Sequence, residues 1–179
     1  MKILLTLLFA LCSLQAQNLY VLEDTPALEA KSKQELGIII KGAFGEKVRE
    51  DSQTITLQVK GFVKKEDPHT LYATPSMVVP LIIFEKINRS DTLEITLDKS
   101  KLTENPEVIW QEAKALYYAQ CSTCHQAPPP SRYSALHWQG IFASMRKIAP
   151  LNDKESTALL EYLQAHASDT HQPNAKEQK

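Results

Sequence analysis

Two thiols and an imidazole fall within five residues at Cys121-Ser122-Thr123-Cys124-His125. Cysteines at i and i+3 lie one helical turn apart on one side of the chain. Each can form a thioether to a different vinyl group of one porphyrin, and the adjacent histidine offers a neutral imidazole nitrogen to the iron. C-x-x-C-H is the attachment signature of c-type haem. The expectation is one haem c, covalently held by Cys121 and Cys124, with His125 as an axial iron ligand.

A disulfide, a zinc site and a thioredoxin-like redox pair are the alternatives. A zinc finger wants two histidines after its cysteines. His137 stands at a suitable distance from Cys124, but Ile141, Phe142 and Ala143 occupy the places of its partner. The redox pair wants a βαβ context. Here the motif follows a helical pattern and precedes Pro128-Pro129-Pro130.

The second axial position has a leading candidate in Met145, the only methionine after the motif. It shares an apolar stripe with Trp138 and Phe142. A thioether there gives His/Met ligation and raises the potential; the alternative is a methionine that fills the core. His137 and His166 are rivals, each giving bis-His ligation and a lower potential. Met77 reads as core, and His69 and His171 as solvated. A carbonyl from the Pro128 region is placed to accept the other imidazole N–H of His125. Arg132, Arg146 and Lys147 are candidate partners of haem propionates or solvated cations, and Trp138 either stacks near the porphyrin or fills the core.

The elements that carry these residues are helical. Asn105-Pro106 starts a helix in which Ile109, Ala113, Leu116 and Tyr117 recur on one face, and it delivers Cys121 at its end. A second helix starts near Ser134, with Trp138, Ile141, Phe142, Met145 and Ile148 along one stripe. Asn152 opens a third, and Glu155 completes a capping box. Three helices in about 65 residues make a marginal core, to which a porphyrin adds a large apolar plate.

Upstream the pattern is extended. Leu19–Leu22, Gly37–Ile40, Thr54–Lys60, Val78–Ile87 and Leu93–Leu97 read as strands, and Ile55, Leu57 and Val59 alternate with polar neighbours. Gly61-Phe62-Val63 continues the third strand after a bend, and Asp67-Pro68 reads as a turn. Five or so short strands predict a small antiparallel β barrel or sandwich. The stretch from Gln58 to Val63 resembles a strand of Src-homology-3-like modules. The fold class expected is α+β: this β-rich domain over residues 18–100, then a three-helix cytochrome c-like haem domain over 105–168.

The 179 residues are 43% hydrophobic and 23% charged with a formal net charge of −1, and no basic stripe interleaved with aromatics points to nucleic acid. Lys2 followed by the apolar run Ile3–Leu11 reads as a signal peptide over residues 1–16, cleaved after Ala16. The run is too short for a permanent span. A lipid anchor on Cys12 is disfavoured by Leu11, where a small residue is normal. Cleavage removes Cys12, so both remaining cysteines belong to the motif. Export to the periplasm matches haem attachment, which occurs outside the bacterial cytoplasm. Residues 169–179 read as a disordered tail.

From about Asn105 to Ser168 the chain resembles the C-terminal mono-haem domain of the pentahaem c-type cytochromes that serve trimethylamine-N-oxide reductase. The matching residues are Cys121–His125, Ala127-Pro128-Pro129, Trp138, Met145 and Leu159–Ala167. The resemblance implies a periplasmic carrier that passes single electrons to a molybdenum-containing reductase of N-oxides or S-oxides. Those proteins carry a membrane-anchored tetrahaem portion, whereas this chain has a single C-x-x-C-H. The resemblance then implies a separate membrane-bound or soluble donor. A haem-based small-gas binding or sensing protein with an open distal site is the competing function, and a peroxidase is disfavoured because no distal acid-base group is evident.

If haem completes the helical core, Cys121→Ala leaves an unstable or degraded haem-free domain. A pulse-chase of the exported variant checks this, and a stably folded haem-free domain contradicts it.

Overall fold

The computed structural model describes residues 17–170. The expected signal peptide with Cys12, and residues 171–179 with His171, lie outside the described residues.

Among the described residues ten strands precede three α-helices: β1 (Asn18–Val21), β2 (Thr25–Glu29), β3 (Glu35–Ile39), β4 (Phe44–Glu50), β5 (Thr54–Lys60), β6 (Phe62–Lys64), β7 (Asp67–Tyr72), β8 (Pro80–Phe84), β9 (Thr92–Asp98), β10 (Leu102–Thr103), α1 (Glu107–Cys121), α2 (Ala135–Met145) and α3 (Asp153–Ala165). The strands form one sheet in the order β10-β1-β4-β5-β9-β2-β3-β8-β7-β6. Neighbours are antiparallel throughout.

This overturns the expectation of a small barrel or sandwich of about five strands, and with it the Src-homology-3-like likeness. The terminal strands β10 and β6 do not pair with each other, so the sheet is not closed. The stretch expected to continue one strand instead changes partner at Gly61. Before it, β5 pairs with β9 from Thr54↔Asp98 to Lys60↔Thr92; after it, β6 pairs with β7. Asp67-Pro68, expected as a turn, opens β7.

The strands without clean alternation are held by their neighbours. Pro26 lies in β2 opposite Ile38, in a stretch where β2 pairs on one side only; its second partner, β9, joins at Leu28 and Glu29. A residue with no N–H is tolerated more readily where one side of a strand is unpaired. Pro80 likewise starts β8, before β3 joins at Ile82↔Ile39. Ile39, Leu57, Val59, Leu71, Ile82 and Ile95 form the centre of the sheet's core. Met77, expected in a core, instead sits in a turn at φ 54°, half-buried.

The helices have a second core. Trp110, Ala113 and Tyr117 of α1, Ala135, Trp138 and Phe142 of α2, and Leu159, Tyr162 and Leu163 of α3 converge with Tyr20 of β1. Half-buried Leu22, Phe44, Val78 and Val79 close it from the sheet side. The helix ends form as their residues dictate. Ser134 caps α2 by accepting from His137 N, and Asn152 and Glu155 form the reciprocal capping box of α3, both bonds at 2.9 Å. Beyond α3, the Asp169 carboxylate accepts from Ala135 N at 2.7 Å and ties the chain back to the start of α2.

Sheet and helices meet at Gly42. Its φ of +81° suits glycine, and a methyl there would come within 2.3 Å of the Trp110 ring. Lys41 Nζ lies 5.0 Å from the centre of the same ring. Gly42→Ala therefore combines backbone strain with overpacking, at a cost of about 2–4 kcal/mol. Denaturant unfolding of the full chain checks this, and a cost within about 0.5 kcal/mol would mean that the indole is not seated on that backbone.

Candidate haem site

Helix α1 places the motif. Its N-terminal end is pinned by Trp110 against the sheet, and its last residue is Cys121. Thr123 Oγ1 donates to Gln120 O at 2.8 Å and closes the helix end. The two thiols therefore lie across the turn that leaves the helix rather than within it. Both are free. Cys121 is half-buried against the aromatic core, and burial pushes its thiol pKa up. Cys124 and His125 are exposed.

The imidazole Nδ1 of His125 is 3.1 Å from the carbonyl of Gln126. With Nδ1 as donor, Nε2 is left as a neutral nitrogen donor. The carbonyl partner is thus that of the next residue. Within the Pro128 region from which a carbonyl was expected, Pro128 O itself accepts from Tyr117 Oη at 2.6 Å. Trp138 is core, not an exposed stacking surface: it is 2% exposed and its Nε1 donates to Pro130 O at 2.6 Å.

The expected stripe on α2 divides. Trp138 and Phe142 are buried, Ile141 is half-buried, and Met145 and Ile148 stand 42% and 75% exposed. Met145 ends the helix with an accessible thioether. His137 packs at a tilt against the Tyr133 ring, centroids 4.8 Å apart, near the opposite end of α2. His166 packs against Trp110 and Tyr162, and its Nδ1 lies 2.9 Å from Tyr162 O. Trp110 precedes Cys121 by eleven residues, about 16 Å along a helix. His166 therefore lies at the far end of α1 from the motif.

Of the cations considered for propionates, Arg132 lies over the Tyr133 ring at 5.7 Å and Arg146 pairs with Asp153 at 3.4 Å; Lys147 is exposed. His69 lies in β7, exposed, with Nδ1 3.3 Å from Phe84 O.

Two free thiols, one half-buried and one exposed, an exposed imidazole and apolar side chains left at the surface suit covalent haem attachment. Among the described residues no group of three or more His, Cys, Asp or Glu comes together to hold a metal ion by itself. A small cavity of about 70 Å³ sits elsewhere, between sheet and helices, lined by Gly42, Phe44, Val79, Trp110 and Glu161. Burial raises the Glu161 pKa there, partly offset by Lys41. No sequence pattern marks Glu161 or that junction.

Burial lowers the pKa of His166 below its ordinary 6.5, and the Tyr162 carbonyl and Glu107 offset this in part while Lys114 adds to it. The unfolded chain thus takes up this proton first as pH falls, so the contribution to stability rises with pH up to about 6.5 and then levels. Glu161 has the opposite sign: its unfolded carboxyl ionises first, so its contribution falls as pH rises from about 4.5. His166→Gln should flatten the rise in unfolding free energy between about pH 5.5 and 7. Equal slopes in the two proteins would show that His166 is not held neutral by burial.

Residues 117–179 match a family described as dihaem cytochrome c. The chain is 36% identical over 74 residues to the cytochrome c-type protein TorC of Escherichia coli O157:H7, covering 41% of this chain and 19% of the relative. It is 33% identical over 92 residues to the cytochrome c-type protein TorY of Haemophilus influenzae, covering 49% of this chain and 25% of the relative. The chain thus spans a quarter or less of the length of these relatives. No solved structure matches it. No helix among the described residues is long and apolar enough to cross a membrane. The matched family segment includes Cys121, Cys124 and His125, and the likeness of the chain is to cytochrome c-type proteins.

Proposed function

We propose that this protein is a periplasmic mono-haem c-type cytochrome that passes single electrons to a molybdenum-containing reductase of trimethylamine-N-oxide or S-oxides. The observation that carries the reading is the C-x-x-C-H at the end of α1, with free thiols and an exposed imidazole, inside the segment that matches the cytochrome family. That family is described as dihaem. This sequence holds one such motif, so one haem is proposed.

Bound haem supplies one-electron chemistry. The chain's residues would do the rest: Cys121 and Cys124 would hold the haem covalently, and His125 would offer Nε2 to its iron while Gln126 O orients the ring. Met145 is proposed as the other residue that would ligate the iron. Its support is the accessible thioether at the end of α2, with His166 engaged at the far end of α1. Met145 and Ile148 are apolar surface that a porphyrin face would cover. The β-rich segment 18–100 and the helical segment 105–168 are proposed as two domains of an exported protein, served by a separate electron donor.

A second reading, a small-gas binding protein, rests on the same exposure of Met145, since a loosely held thioether is easily displaced. Carbon monoxide separates the two. The untreated ferrous protein is expected to leave carbon monoxide unbound, and to be reoxidised by the molybdenum reductase when its N-oxide substrate is added. Met145→Ala should bind carbon monoxide and show a lower midpoint potential. Ready binding by the unaltered protein would favour gas binding, and an unchanged spectrum in the variant would remove Met145 as ligand.

A further inference from the structure

Pro128, Pro129 and Pro130 follow the motif and carry no backbone N–H, so the backbone of these three residues can hydrogen-bond only through its carbonyls. All three accept. Pro128 O takes the Tyr117 hydroxyl at 2.6 Å, Pro129 O takes Arg132 N at 2.9 Å, and Pro130 O takes the Trp138 indole N–H at 2.6 Å. The two side-chain donors come from different helices, α1 and α2, and each residue is 2% exposed. Their rings meet edge to face, 6.2 Å apart at 88°, which fixes each against the other.

We infer that Tyr117 and Trp138 are positioning residues for the His125 imidazole, acting as a two-helix clamp on the loop 126–130. The inference rests on the haem reading above. Neither side chain need touch the haem. The clamped prolines hold the Gln126 peptide in place, and its carbonyl sets the plane of the His125 ring through the 3.1 Å contact to Nδ1. Tyr117 is suited to this because burial pushes its pKa far up, so the hydroxyl stays a donor across the working range. Trp138 is suited because indole only donates.

The experiment uses the full chain matured with haem in a host that attaches c-type haem. Covalent haem per chain, the low-spin electron paramagnetic resonance spectrum and the midpoint potential are read for Tyr117→Phe, Trp138→Phe and Leu159→Ala. Leu159 is fully buried in the same core, on α3. The clamp variants should keep their haem but show broadened, shifted g values and a shifted potential, while Leu159→Ala lowers stability and leaves both unchanged. Should Tyr117→Phe lose its haem, Trp138→Phe gives the deciding spectrum. Wild-type g values and potentials in haem-loaded clamp variants overturn the clamp alone, as does an equal shift in Leu159→Ala. Absence of covalent haem from the unaltered protein overturns the haem reading and the clamp with it.

Discussion

Helix α1 is a strut fixed at one end by an indole pressed onto a glycine backbone, and the rest of the helical layer depends on that seat. Trp110 can lie on Gly42 because the strand connection there takes a positive φ and presents no side chain. Truncating a buried tryptophan typically costs about 3–5 kcal/mol, a large share of a domain's net stability. With that end anchored, the helix carries its last residue, Cys121, to the far end of the aromatic core. The helices thus find in the sheet part of the apolar cover that three short helices lack alone.

The polar groups of the helical layer divide by burial. Tyr117 and Tyr162 lie deep, with hydroxyls kept protonated by burial, and Trp138 beside them donates to the proline loop. Cys124, His125 and Met145 stand at the surface. Rigid neutral groups inside hold the surface residues beside them in place, because precision comes from side chains whose own rotamers are locked. Three consecutive prolines strengthen this. They stiffen the loop and leave only carbonyls, which buried donors then use.

Legibility along the chain followed the local code. β5 and β9 alternate apolar and polar residues, and both are visible as strands in the sequence. β2, β4, β7 and β10 are not visible: they contain Pro26, Gly45 or Asp67-Pro68, or are only two residues long. Such strands exist because a neighbour offers a row of unpaired N–H and C=O groups, which no window on one segment can register. Counting half the strands suggested a barrel; the full set makes one open sheet.

For the site, the amino-acid sequence by itself determined what depends on near neighbours: the spacing of Cys121, Cys124 and His125, the helix caps at Ser134 and Asn152, and the prolines that end the motif. Tertiary structure alone decided what depends on distant ones. It drew His166 against Trp110, assigned the Pro128 carbonyl to Tyr117, and left Met145 beyond the buried part of its stripe. A 3.6-residue period reports which side of a helix is apolar. It does not report where along that side the neighbouring elements stop, and the packing of α1, α2 and α3 on the sheet sets that limit.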